Sequence, residues 1–146
     1  MESLTRQAVT ATLHCLTGCA IGEVAGMVLG TALGWGNTTT IIVSIALAFA
    51  FGYALTLRSV RSAGLTLRAA LPVVLAADTA SIATMELVDN GVVLAIPGAL
   101  DAGLADARFW LSLLISLVLA FAVTVPVNRF LIARGRGHAV VHQHHR

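Results

Sequence analysis

Four stretches of this chain, at about residues 8–34, 38–57, 69–96 and 109–132, are long, apolar and free of basic residues except near their ends. Each reaches the ~20 residues an α-helix needs to cross the hydrocarbon of a bilayer. Lipid leaves no water to satisfy exposed backbone, so open strands are excluded and each stretch must be helical. The short connections make neighbours antiparallel. The spacing predicts an all-α integral membrane protein: an up-down bundle of four transmembrane helices over residues 1–136, followed by a histidine-rich tail at 137–146. Composition agrees. The 146 residues, enough for one domain, are 58% hydrophobic and 11% charged, against roughly 45–50% and 25% in soluble domains.

Arginine sets the expected orientation. The nine basic residues are all arginines. Arg6, Arg58, Arg61, Arg68, Arg129, Arg134, Arg136 and Arg146 fall on one side of the four runs, and only Arg108 falls on the other. The excess of basic residues on the cytoplasmic side places both termini in the cytoplasm. Trp35 and Trp110 fall at the opposite ends of the helices, as interfacial tryptophans do. A bacterial inner membrane is the expected location. The opening "MESLTRQAVTATLHC" reads as the start of the first span, because its positive region is thin and its apolar run outlasts that of a signal peptide. The net charge of +2 comes with no basic run interleaved with aromatics, so no nucleic-acid partner is expected. There is no Walker motif or HExxH, and two cysteines make no disulfide framework.

The first run carries two parallel rows. Gly18, Gly22, Gly26, Gly30 and Gly34 recur every fourth residue. Small residues at this spacing let a second backbone approach closely in lipid. The partner is a helix of the same chain, a second copy in a homo-oligomer, or another membrane protein. Beside the glycines stand Cys15, Cys19, Glu23, Met27 and Thr31, with His14 adjoining Cys15. Thiolate, imidazole, carboxylate and thioether are donors for soft and borderline metals. Cysteine and methionine alone are ordinary fillers of a core. Glu23 shifts the balance, since a carboxylate at mid-membrane costs about 2.5–3.5 kcal/mol on insertion scales and is by default a functional group.

The third run, "AADTASIATMELVDNG", adds Asp78, Met85, Glu86 and Asp89. At 1.5 Å per residue, Cys15 and Cys19 should lie near the depth of Asp78, with Glu23 and Met27 nearer Met85 and Glu86. Arg129 and Arg108 sit where ion pairs with Asp78 and Asp89 would be the plain alternative. Glu23 and Glu86 then have no evident partner except His14, about two turns below Glu23, and must be protonated, hydrated or bound to a cation. In the tail, His138 and His142 are spaced to share one ion, and His144 and His145 follow; a solvated tail is the alternative.

Several segments carry a family resemblance: "HCLTGCAIGEVAGM", "DTASIATMELVDN", "IPGA", "FWLSL" and "PVNRFLIARGRGHAVVHQHH". Over most of its length the chain resembles a bacterial membrane family known only as domain of unknown function 4396. That resemblance brings no assigned activity. It points to copper, through relatives joined to multicopper-oxidase domains or labelled copper proteins; this chain has no oxidase-like domain, so no oxidase activity carries over. The expected function is the binding or transport of a transition metal, copper being favoured, through His14, Cys15, Cys19, Glu23 and Met27 facing Asp78, Met85 and Glu86, with His138 and His142 at the cytoplasmic mouth. The rivals are a thiol oxidoreductase using Cys15 and Cys19, and a non-catalytic docking module.

Overall fold

The computed structural model describes residues 3–134, apart from 63 and 65. Among these the chain forms four helices: α1 (Leu4–Leu33), α2 (Asn37–Ser62), α3 (Leu67–Ala95) and α4 (Ala107–Ala133). The domain's tail, with His138 and His142, lies outside the described residues. The helices outrun the apolar stretches because helix ends are set by caps, not by the edge of hydrocarbon. Ser3 caps α1 by accepting a hydrogen bond from the Arg6 amide at 3.2 Å. Asp106 caps α4 by accepting one from the Arg108 amide at 2.9 Å. Gly34 ends α1 in the left-handed conformation, φ +68°, which glycine adopts without strain.

Three of the helices, α1, α2 and α4, are long and apolar enough to cross a membrane. α3 has 29 residues, sufficient length, but carries Asp78, Glu86 and Asp89 within it.

The glycine row packs within the chain. Gly18 lies against Gly52, Gly22 against Ala48, Gly26 against Ser44 and Gly30 against Thr40, all on α2. Each pair is symmetric about Trp35, which sits in the turn between the helices, so this is the register of a tight antiparallel hairpin. A Cβ on Gly18 would fall 2.8 Å from the Gly52 Cα, too close for any side chain. Of the three partners the spacing allowed, the helix of the same chain takes this face: α2 packs on it, and Gly18, Gly22, Gly26 and Gly30 are buried. α2 supplies its own row of small residues at the same spacing, with Ala48, Gly52 and Thr56 buried.

α3 packs chiefly on α4, and α4 also on α1. Along α4, Ser112, Ser116, Ala120, Thr124 and Asn128 are buried at a strict four-residue spacing. The opposite face of α4 exposes Leu111, Leu114, Ile115, Val118 and Leu119. Polar groups face inward and apolar groups outward, the arrangement for a helix whose surroundings are hydrocarbon.

Candidate functional site

The interior of the bundle holds a polar line contributed by α1, α3 and α4. Its centre is a compact cluster of Cys15, Cys19, Ala48, Ile82, Met85 and Ala120. Three sulfurs thus share one buried core, and both cysteine thiols are free. Cys15 stands beside Asp78, and Cys19 beside Glu86. Thiol and thioether donors in an apolar shell suit a soft monovalent ion better than a hard divalent one. Among the described residues, no three of His, Cys, Asp and Glu converge as a closed metal cage. Any metal held at the centre would therefore draw on the Met85 thioether with the two thiols.

Toward the Trp35 end the line becomes acidic. Glu23 lies within hydrogen-bond reach of Asp89, and Glu86 is close to both. Ser116 Oγ donates to Asp89 Oδ1. Asn90 Nδ2 donates to Glu86 Oε2 at 3.2 Å, while Glu86 Oε1 and Glu23 Oε2 are buried without a hydrogen-bond partner among the described residues. The groups that bear on Glu23 and Glu86 are acids, a thiol and an amide, with no arginine among them.

These acids line an open-mouthed cavity of about 320 Å³ to which all four helices contribute. Met27, Trp35 and Phe109 line it, as does Asp101, which accepts a hydrogen bond at 3.1 Å from Asn37 Nδ2 across the rim.

Toward the other end the line is closed. Asn128 Nδ2 donates to Thr12 Oγ1 at 2.8 Å, and Ser81 Oγ donates to Asn128 Oδ1. This clasp ties α1, α3 and α4 together, and all three residues are buried.

The structure brings together Cys15, Cys19, Met85 and Glu86, and next to them Glu23, with Met27 on the cavity wall. It places Asp78 at the level of Cys15. His14, one residue from Cys15, is only partly buried and belongs to neither the sulfur cluster nor the cavity wall. Cys15 at Asp78 and Glu23 near Glu86 match the expected depths, while Cys19 reaches further along α3, to Met85 and Glu86, and Glu23 also meets Asp89. The proposed Arg108–Asp89 ion pair gives way to Ser116 and Glu23 on Asp89, while the Arg108 guanidinium packs on Gly98. Sequence reasoning missed Thr12, Ser112, Ser116, Thr124 and Asn128. The four-residue spacing on α4 was the available signal, since an otherwise apolar helix has little other reason to repeat small polar residues on one face.

Taken together, the apolar exterior and acid-and-sulfur interior define an all-helical protein with membrane-length helices and a polar centre. Residues 5–137 match the model of the family described as Domain of unknown function (DUF4396), and the chain belongs to that family. No curated protein and no solved structure matches the chain.

Proposed function

We propose that this is a four-span protein of the bacterial inner membrane, with both termini in the cytoplasm, that binds a soft transition metal ion and passes it along the bundle axis. Copper, as Cu(I), is the favoured cargo. The observation that carries this reading is the burial of Cys15, Cys19 and Met85 in one cluster, joined through Glu86 to an acid-floored cavity. The cavity's carboxyls attract cations; the sulfurs beyond them favour soft ones. α3 is the fourth span. Its three acids lie on the side packed against α1 and α4 rather than toward lipid, as Asp78, Glu86 and Asp89 are buried, the usual placement of ionisable groups inside a membrane. Arg58, Arg61 and Arg68 flank the α2–α3 connection and support the cytoplasmic assignment of that end.

Metal content of the detergent-purified, untagged protein tests this by elemental mass spectrometry. The wild type should carry, or take up on addition of Cu(I), close to one copper per chain. A Cys15→Ser, Cys19→Ser double variant should lose it. A variant ending at residue 136 should keep it, which separates the core from the His138 and His142 tail. A wild type that refuses Cu(I), or a double variant that binds as well as wild type, overturns the reading.

A further inference from the structure

One threonine hydroxyl, at the edge of the sulfur cluster, behaves unlike the others. Thr10, Thr12, Thr17, Thr40, Thr79 and Thr84 each turn the hydroxyl back to the carbonyl four residues earlier, a common way for a helix to satisfy this side chain. Thr124 is fully buried, yet its Oγ1 has no hydrogen-bond partner among the described residues. A buried polar atom is rarely left so, because nothing offsets its lost hydration.

Register places this hydroxyl. The Thr12–Asn128 hydrogen bond fixes α4 against α1, and the Ser81–Asn128 bond fixes it against α3. One turn from there toward Trp35, at 1.5 Å per residue, α1 carries Cys15, α3 carries Met85 and α4 carries Thr124. All three are buried. The next turn of α4 brings Ala120, which belongs to the sulfur cluster. Thr124 therefore borders the cluster on its clasp side, level with Cys15 and Met85. The neighbouring hydroxyls are already engaged: Thr12 donates to the Ala8 carbonyl at 2.7 Å, and Ser81 donates to Asn128.

A metal-free cluster has little use for such a donor, since thiol and thioether sulfurs are weak acceptors. A thiolate is a strong acceptor, and it is the form in which cysteine holds a metal. Binding exchanges the Cys15 thiol proton for the ion, and the proton leaves to solvent. The charged sulfur, in an apolar shell, then needs a donor. We infer that Thr124 is a positioning residue of the metal site: its hydroxyl donates to the Cys15 sulfur when that sulfur binds a soft ion. This rests on the metal reading above and adds to it a residue from α4, the helix of the polar line that supplies none of the sulfurs.

Titration of the detergent-purified full chain with Cu(I), in competition with the chromophoric chelator bicinchoninate and without oxygen, tests this on wild type, Thr124→Val and Thr124→Ser. Valine keeps the shape and removes the hydroxyl; serine keeps the hydroxyl. The valine variant should hold Cu(I) about tenfold more weakly, the lower end of what partners of metal ligands contribute, and serine should restore affinity to within about threefold of wild type. Without metal, the valine variant should melt at or above the wild-type temperature, because the hydroxyl it loses has no partner in the empty fold. A valine variant that binds as tightly as wild type, or a serine variant as weak as valine, overturns the role of Thr124 and leaves the metal reading standing. A metal-free valine variant that melts well below wild type, or does not fold, also overturns it, since the hydroxyl is then bonded without the ion. A wild type that takes up no Cu(I) overturns both.

Discussion

Replacing Gly22 by leucine should prevent α1 from docking on α2. A Cβ at position 22 would sit 2.5 Å from the Ala48 Cα. The obstacle is backbone, which cannot rotate away as a flexible side chain does, so the helices must separate along their length. Separation would release the contacts at Gly18, Gly26 and Gly30, whose Cβ positions are similarly occupied by α2. The expected loss is about 3 kcal/mol, the upper part of the usual cost of overpacking, and the variant should melt far below wild type or fail to fold in detergent. Gly91→Leu is the control. No atom lies within 4 Å of that position, and removing an exposed helical glycine should leave stability within about 1 kcal/mol of wild type or raise it. A Gly22→Leu variant that melts like wild type would refute the α1–α2 register.

The second large effect is expected at Asn128. Leucine there nearly preserves volume but removes the hydrogen bonds to Thr12 and from Ser81. Interhelical hydrogen bonds in membrane proteins contribute about 0.6 kcal/mol on average and up to about 1.7. Losing two should therefore cost about 1–3 kcal/mol. Part of that loss is recoverable. Thr12 Oγ1 already donates to the Ala8 carbonyl at 2.7 Å, and a serine such as Ser81 can turn to a carbonyl of its own helix. A double-mutant cycle with Thr12→Val isolates the shared bond. Coupling near zero would mean the clasp adds no stability, whatever Asn128→Leu costs alone.

The four helices, their antiparallel order and the close-packing role of the α1 glycines are legible in the residue pattern. Helical burial in lipid leaves few other solutions, and glycine every fourth residue has little use besides close approach. The identity of the glycine row's partner was not legible by that route. The matching row on α2 mixes threonine, serine, alanine and glycine, types that sit equally well against lipid. What it needed was the register: Thr40, Ser44, Ala48 and Gly52 mirror the α1 glycines about Trp35. The sulfur and acid residues were found because charge in a membrane is costly enough to stand out. Their approximate depths were legible, Cys15 at Asp78 and Glu23 near Glu86, but the contacts of Cys19 with Glu86 and of Glu23 with Asp89 depend on rotation and tilt, which spacing along a single helix does not contain. Pairing acids with arginines by depth also misled: Asp89 meets another carboxyl and a serine hydroxyl.

The uneven distribution of contacts has a mechanical consequence. α1 holds most closely to α2, and α3 to α4, so the chain forms two hairpin arms, joined to one another mainly by α4 on α1. At one end the arms are pinned by the Thr12–Asn128–Ser81 clasp, sealed from water. At the other they are bridged at the surface by Asn37 and Asp101, a contact for which water competes at every moment. The seam at the Trp35 end is therefore the one expected to loosen first, as forceps part at the tips while the hinge holds.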